Sequence, residues 1–114
     1  MSDSIIDPAE ERKHTRDYKN ETPDILEAWA KFDDAVFARE GREIPLKYRE
    51  LMAIAVAYTT QCVYCIDFHV GEAKKAGATL GELAETAWVA AALRGGGAFA
   101  HGRLGFKLYG DHEH

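Results

Sequence analysis

The chain has 114 residues, 46% of them hydrophobic and 29% charged, with a formal net charge of -5. That length and mix suit one soluble globular domain. They exclude two partner classes: the basic residues form no long run that would attract nucleic acid or an anionic membrane, and no segment approaches the roughly 20 apolar residues that span a bilayer.

The first residues lack a basic stretch followed by an apolar core, so no signal peptide is read there and the expected location is cytoplasmic. Residues 1–20 are polar, with Ile5, Ile6 and Tyr18 as their few large apolar anchors, and are expected to form a loose arm or a short helix. A single helical domain is predicted over 21–110, with 111–114 as a tail. Its first helix starts at Thr22, a suitable N-cap, with Pro23 at the first helical position and Asp24 at the positive dipole end. Ile25, Trp29, Phe32, Val36 and Phe37 recur at helical spacing, and Gly41 is the natural terminator.

The second helix is predicted over 46–60. From Leu51 to Tyr58 it is apolar on nearly every face, the mark of a helix buried all round. Thr59, Thr60 and Gln61 interrupt it. The third helix runs from about Cys62 to near Gly77, with Cys62, Cys65, Ile66, His69, Val70 and Ala73 on one face. Thr79 and Glu82 make a capping-box pattern for a fourth helix over 80–94. Gly95, Gly96 and Gly97 then break the chain or permit close backbone approach, and a fifth helix carries Phe99, Leu104 and Leu108. The fold class is therefore all-α, a bundle of five to six helices. Its alanine-rich helices leave a short chain poor in bulky core, which points towards oligomerisation.

The chemistry centres on two cysteines three positions apart, Cys62 and Cys65, which are the only cysteines in the chain. A secreted disulfide scaffold would carry more, spread along the sequence. At a helix start, i and i+3 thiols can close a disulfide with little backbone movement, and the helix dipole favours the thiolate. His69 lies one turn beyond Cys65 on the same face, where an imidazole can exchange protons with sulfur. Glu50 joins by geometry. If the chain turns near Thr59 and Thr60, the second and third helices run antiparallel, and Glu50 and His69 are almost equidistant from the turn. A carboxylate there would orient the imidazole. The bland alternatives are two buried small hydrophobes or half of a metal site, for which zinc would need further ligands. Tyr64 and Phe68 read as packing and Asp67 as solvent-facing. His101, in the Gly-rich segment after Arg94, is a candidate for the same pocket. His14, His112 and His114 are given no role.

The joint spacing of Glu50, Cys62, Cys65 and His69 resembles the alkylhydroperoxidase D / carboxymuconolactone decarboxylase superfamily. The resemblance runs from about Ala35 to Gly102 and is strongest over 49–57 and 62–69. It implies an all-α fold with an antiparallel hairpin that puts the cysteine pair at a helix start. It implies that Cys65 attacks a peroxide, that Cys62 resolves, and that Glu50 and His69 relay protons. It also implies assembly into trimers or hexamers. Alkylhydroperoxidase D itself is longer and carries His immediately before the second cysteine; Tyr64 stands there in this chain, so its substrate and electron donor are not carried over.

The function expected is that of a thiol-dependent peroxidase: hydroperoxide as substrate, an external dithiol or thioredoxin-like protein as reductant, and no organic cofactor or metal. The pocket should be small and apolar, lined by Ile54, Tyr58 and Phe68. Rival readings are a disulfide reductase or redox sensor, a metal-binding module, and a lactone decarboxylase that ignores both thiols.

Overall fold

The structure, a computed structural model, describes residues 6–111. Ile5 in the polar arm, the tail beyond Asp111, and with it His112 and His114, lie outside these. Five helices follow in order: α1 Pro8–Glu21, α2 Pro23–Val36, α3 Leu46–Thr60, α4 Val63–Lys75 and α5 Leu80–Asp111. There is no strand among the described residues, so the all-α expectation holds.

The polar arm contains a full helix. Asp7 caps α1 by accepting the Ala9 N–H at 3.1 Å. Thr22 does stand at the N-cap of α2, but its side chain makes no cap bond there. Its hydroxyl instead donates to the Tyr18 carbonyl at the end of α1. Helix α2 stops at Val36, short of Gly41, because two arginines take up the carbonyls at its end. Arg42 donates to the Ala35 carbonyl, and Arg49 to those of Val36, Ala38 and Ile44. Gly41, with φ 78°, lies in the connecting loop.

Helix α3 has the bounds the sequence predicts. It ends on Gln61, a non-glycine residue in the left-handed region (φ 59°, ψ 43°). The Cys62 N–H then returns to the Ala57 carbonyl at 3.0 Å, and Cys62 becomes the N-cap of α4. This two-residue reversal lays α4 back along α3. Thr79 and Glu82 form the reciprocal capping box at the start of α5: the Thr79 N–H donates to Glu82 Oε1 and the Glu82 N–H to Thr79 Oγ1. Lys47 at the start of α3 meets Glu82 at 2.9 Å, tying the first turns of α3 and α5 together. The hydrogen bond from Lys47, helped by the Thr79 N–H, holds the Glu82 carboxyl below its usual range.

Two expectations are corrected here. Residues 80–111 form one helix, not two; Gly95, Gly96 and Gly97 continue it, since a glycine costs a helix only about 1 kcal/mol and removes no hydrogen bond. And α3 is not buried all round. Ile54 and Ala57 are buried, but Met52 and Val56 are 53% and 59% exposed, because no element of the same chain covers their face. Helix α3 packs on α4 and α5, while α2 packs on α1 alone. The core is correspondingly small: Ile54, Ala57, Ala73 and Ala90 are its buried hydrophobic residues. Alanines at these contacts let the helices approach closely.

The Gln61 cap generates a stability prediction. A side chain in the left-handed region costs roughly 1–2 kcal/mol that glycine avoids, against a smaller entropic cost in the unfolded chain. Gln61→Gly should therefore stabilise the protein by about 0.5–1 kcal/mol, read by urea unfolding at fixed protein concentration. Destabilisation would show that the Gln61 side chain contributes more than its backbone strain costs.

Candidate active site

The reversal between α3 and α4 fixes where both sulfurs sit. As N-cap, Cys62 turns its Sγ towards the first turn of α4 and accepts the Cys65 N–H at 3.2 Å. Serine or aspartate usually fills this role; here sulfur does, and a thiolate would gain from the same N–H and from the helix dipole. Cys62 and Cys65 are joined by a disulfide, with their Cα atoms 5.3 Å apart.

One turn further along α4, His69 Nδ1 lies 2.5 Å from Glu50 Oε1 on α3. The Glu50 residue is only 3% exposed. A carboxylate so buried is tolerable only when paired and hydrogen-bonded, and His69 supplies that partner. With Nδ1 engaged by Glu50, Nε2 is the nitrogen left for proton exchange. Two aromatic rings hold the imidazole. Phe37 lies with its centroid at 4.7 Å and a tilt of 36°, and Phe68 meets it edge-on at 5.0 Å. The hairpin geometry inferred from equal spacing about the turn is thus the geometry found: Glu50 meets His69, Cys62 is bonded to Cys65, and Cys65 and His69 line one groove.

Two openings flank the pair. An apolar groove of about 460 Å³ has Cys65 and His69 in its lining, with Val36, Phe37, Met52 and Val56 as walls. A more polar cleft of about 200 Å³ is lined by Glu50, Phe68, Glu72 and Lys75 among others. His69 thus faces the sulfur side and Glu50 the polar side, so the pair can connect them for protons.

The predicted pocket lining is corrected. Ile54 is wholly buried in the core. Tyr58 faces α5 beside Ala87 and Arg94. Phe68 lines the polar cleft and not the groove at Cys65. None of the three lines the groove at Cys65, a distinction that apolar character alone does not reveal. His101 does not line the groove either; it is exposed on α5 with Nδ1 on the Gly97 carbonyl. Asp67 is half-buried, not solvent-facing, and Tyr64 is 60% exposed, not packed. Among the described residues no group of three or more His, Cys, Asp or Glu is placed to hold a metal ion.

Sequence reasoning missed three contributors. Phe37 falls in the apolar periodicity of α2 but belongs to the loop that covers His69. Arg49, next to Glu50, anchors that loop through three carbonyls; an arginine beside a buried acid was the available signal. Arg94 donates to the Thr59 carbonyl and so ties α5 to the turn that presents Cys62.

Comparison with known proteins agrees with the all-helical fold. A family model described as the carboxymuconolactone decarboxylase family matches residues 23–106, which takes in α2 to most of α5 and leaves α1 outside. An uncharacterized protein 4 in the cox locus of Paracoccus denitrificans is 40% identical over 79 residues, or 65% of this chain and 71% of that protein. An uncharacterized protein of Haemophilus influenzae is 45% identical over 51 residues, covering 45% of this chain and 43% of its own length. Among solved structures, a carboxymuconolactone decarboxylase family protein from Legionella pneumophila superposes with TM-score 0.66 at 27% identity, over 75% of this chain and 74% of that one. A protein from Methanobacterium thermoautotrophicum gives TM-score 0.68 at 34% identity, over 76% of this chain and 98% of its own.

The placement of the sulfurs predicts that air or mild peroxide links Cys62 to Cys65 within one chain, and that a dithiol reverses the bond. Peptide mapping of oxidised and reduced protein checks this. Intermolecular disulfides alone, or two unmodified thiols after peroxide, would contradict it.

Proposed function

Since the chain belongs to the carboxymuconolactone decarboxylase family, which includes enzymes, we propose that it is a thiol-dependent peroxidase cycling between a Cys62/Cys65 dithiol and disulfide. The observation that carries this reading is the buried Glu50–His69 contact on the same helix pair as a closable cysteine pair, with Cys65 and His69 lining one apolar groove.

The cycle runs as follows. A hydroperoxide enters the groove, and the Cys65 thiolate attacks its distal oxygen. The O–O bond breaks, the sulfur is oxidised to the sulfenic acid, and the alcohol leaves with a proton supplied through His69. Glu50 holds the ring with Nδ1 engaged, so that Nε2 handles the proton. The Cys62 thiolate, stabilised at the helix start by the Cys65 N–H, then attacks the sulfenic sulfur. The S–O bond breaks, the hydroxide takes up the proton that the Cys62 thiol gave up and leaves as water, and the disulfide forms. The two electrons that the peroxide gained thus come from the two thiols, and an external dithiol or thioredoxin-like protein restores them by exchange.

Lactone decarboxylation, the reaction in the family's name, would give the two cysteines no part. The disulfide beside the Glu50–His69 pair favours the redox reading. Disulfide exchange without a peroxide step uses the same residues, so the test must read peroxide itself.

Reduced wild-type protein should consume a small organic hydroperoxide in a single fast turnover, and continuously with an added dithiol. Cys65→Ser should abolish consumption. Cys62→Ser should react once and stop at a sulfenic acid that a dimedone-type reagent traps, seen by mass spectrometry. Consumption by Cys65→Ser at the wild-type rate would contradict the assignment. A wild-type disulfide that exchanges with dithiols while peroxide is untouched would leave reductase chemistry in its place.

A further inference from the structure

The two cavities beside the Glu50–His69 pair differ in chemistry and share one wall. The groove at Cys65 is lined mainly by apolar side chains, among them Val36, Ile44, Met52 and Val56. The cleft on the other side carries Asp33, Asp34, Arg39, Glu72 and Lys75 besides Glu50. Charged groups hold water, whereas an apolar lining gives a water molecule no partners. His69 belongs to the groove lining and Glu50 to that of the cleft. Phe37 is the one residue that lines both.

The Phe37 ring stands where the two cavities meet. Its centroid is 4.7 Å from that of the His69 imidazole, and Phe68, in the cleft lining, meets the imidazole edge-on at 5.0 Å. Between these rings the pair is nearly cut off from solvent. The side chains of His69 and Glu50 are 13% and 4% exposed, although each lines a cavity.

Phe37 directly follows the last residue of α2, a place where helices ordinarily fray. Here the backbone is clamped. The Arg49 guanidinium donates to the carbonyls of the residues on either side of Phe37, Val36 and Ala38, both at 2.6 Å. Arg42 donates from two nitrogens to the Ala35 carbonyl, at 3.1 and 2.8 Å, and the Phe37 N–H donates to the Asp33 carbonyl at 3.1 Å. A planar guanidinium presents its donors in a rigid fork, which an ammonium does not. Arg49 is also the chain neighbour of Glu50 on α3, so one turn of helix supplies both the buried acid and the clamp for the ring that covers its partner.

We propose that Phe37 is the partition between the two cavities, and that Arg49 is the residue that positions it. With the ring in place, a proton moves between cleft and groove by way of the Glu50–His69 contact and not along a chain of water molecules around it. The groove's use by a hydroperoxide rests on the function proposed above; the partition does not.

Exchange with water of the His69 ring proton that the contact shelters reads the partition directly. Oxidised protein carrying isotope-labelled histidine is followed by NMR, and the His69 ring signal is identified by its loss in His69→Ala. Saturation transfer from water, at one fixed pH, gives the rate. Phe37→Ala should speed this exchange about ten-fold or more by opening the imidazole face to the cleft. The backbone amides of Ile54 and Ala57, in the core, should keep their protection. Phe37→Leu refills most of the space without an aromatic ring and should bring the rate back to within about three-fold of wild type. Arg49→Lys should also speed exchange, by less than Phe37→Ala does. Adding Arg49→Lys to Phe37→Ala should change little further, since Arg49 acts through the ring.

An unchanged rate in Phe37→Ala would overturn the partition, as would a wild-type ring proton that already exchanges too fast to observe. Acceleration matched by an equal loss of protection at Ile54 and Ala57 would make Phe37 a residue of the fold alone. Failure of Phe37→Leu to restore the rate would show that filling the gap is not what matters. Single effects of Phe37→Ala and Arg49→Lys that simply multiply in the double variant would remove Arg49 from the assignment. None of these readings involves peroxide, so a protein without peroxidase activity would still pass or fail them.

Discussion

The contact between Glu50 and His69 is the constraint on which the rest of the arrangement depends. A carboxylate at the start of α3, almost wholly removed from water, is costly unless another group satisfies it. The group that does so lies on the next helix, 19 residues along the chain. For the two to meet, the chain must reverse within two residues after Thr60. That reversal places Gln61 in the left-handed region and makes Cys62 the first cap of α4. The position of the disulfide thus goes with the pairing of a buried acid and an imidazole: a single turn sets both the Cys62–Cys65 bond and the Glu50–His69 contact.

Around that turn the structure adds fixings that have no chemistry of their own. Arg49 gathers three carbonyls from the end of α2 and the following loop, and so brings Phe37 over the face of His69. Arg94 reaches from α5 to the Thr59 carbonyl at the end of α3. Hydrogen bonds to a charged group are worth more than neutral ones, about 1.5–3 kcal/mol, so these two residues hold the walls of the site where the small alanine-rich core does not.

Much of this was legible in the sequence. The bounds of α3, the capping box at Thr79 and Glu82, and the convergence of Glu50, Cys62, Cys65 and His69 follow from periodicity, cap chemistry and equal spacing about a turn. What escaped did so for physical reasons. The run of glycines after Arg94 looked like a break, yet a helix tolerates them when its backbone bonds stay intact. Apolar residues on α3 were read as uniformly buried, but burial depends on what lies opposite, and one chain supplies nothing opposite Met52 and Val56. The pocket lining was misassigned because hydrophobicity does not say which side of a helix faces the sulfurs. Phe37 and Arg49 act through a loop, where no periodicity exists to read.

The central claim is that Glu50 and His69 act as one unit on the thiols. A double-mutant cycle on the rate of thiol oxidation by a small hydroperoxide tests it most directly. General acid–base groups contribute about 10²- to 10⁴-fold, so Glu50→Gln and His69→Ala should each slow oxidation towards that range without abolishing it. Residues that act together are strongly non-additive. The double variant should therefore be little slower than the slower single variant. Two losses that simply multiply would show that the residues work independently, and that their contact serves the fold and not the chemistry.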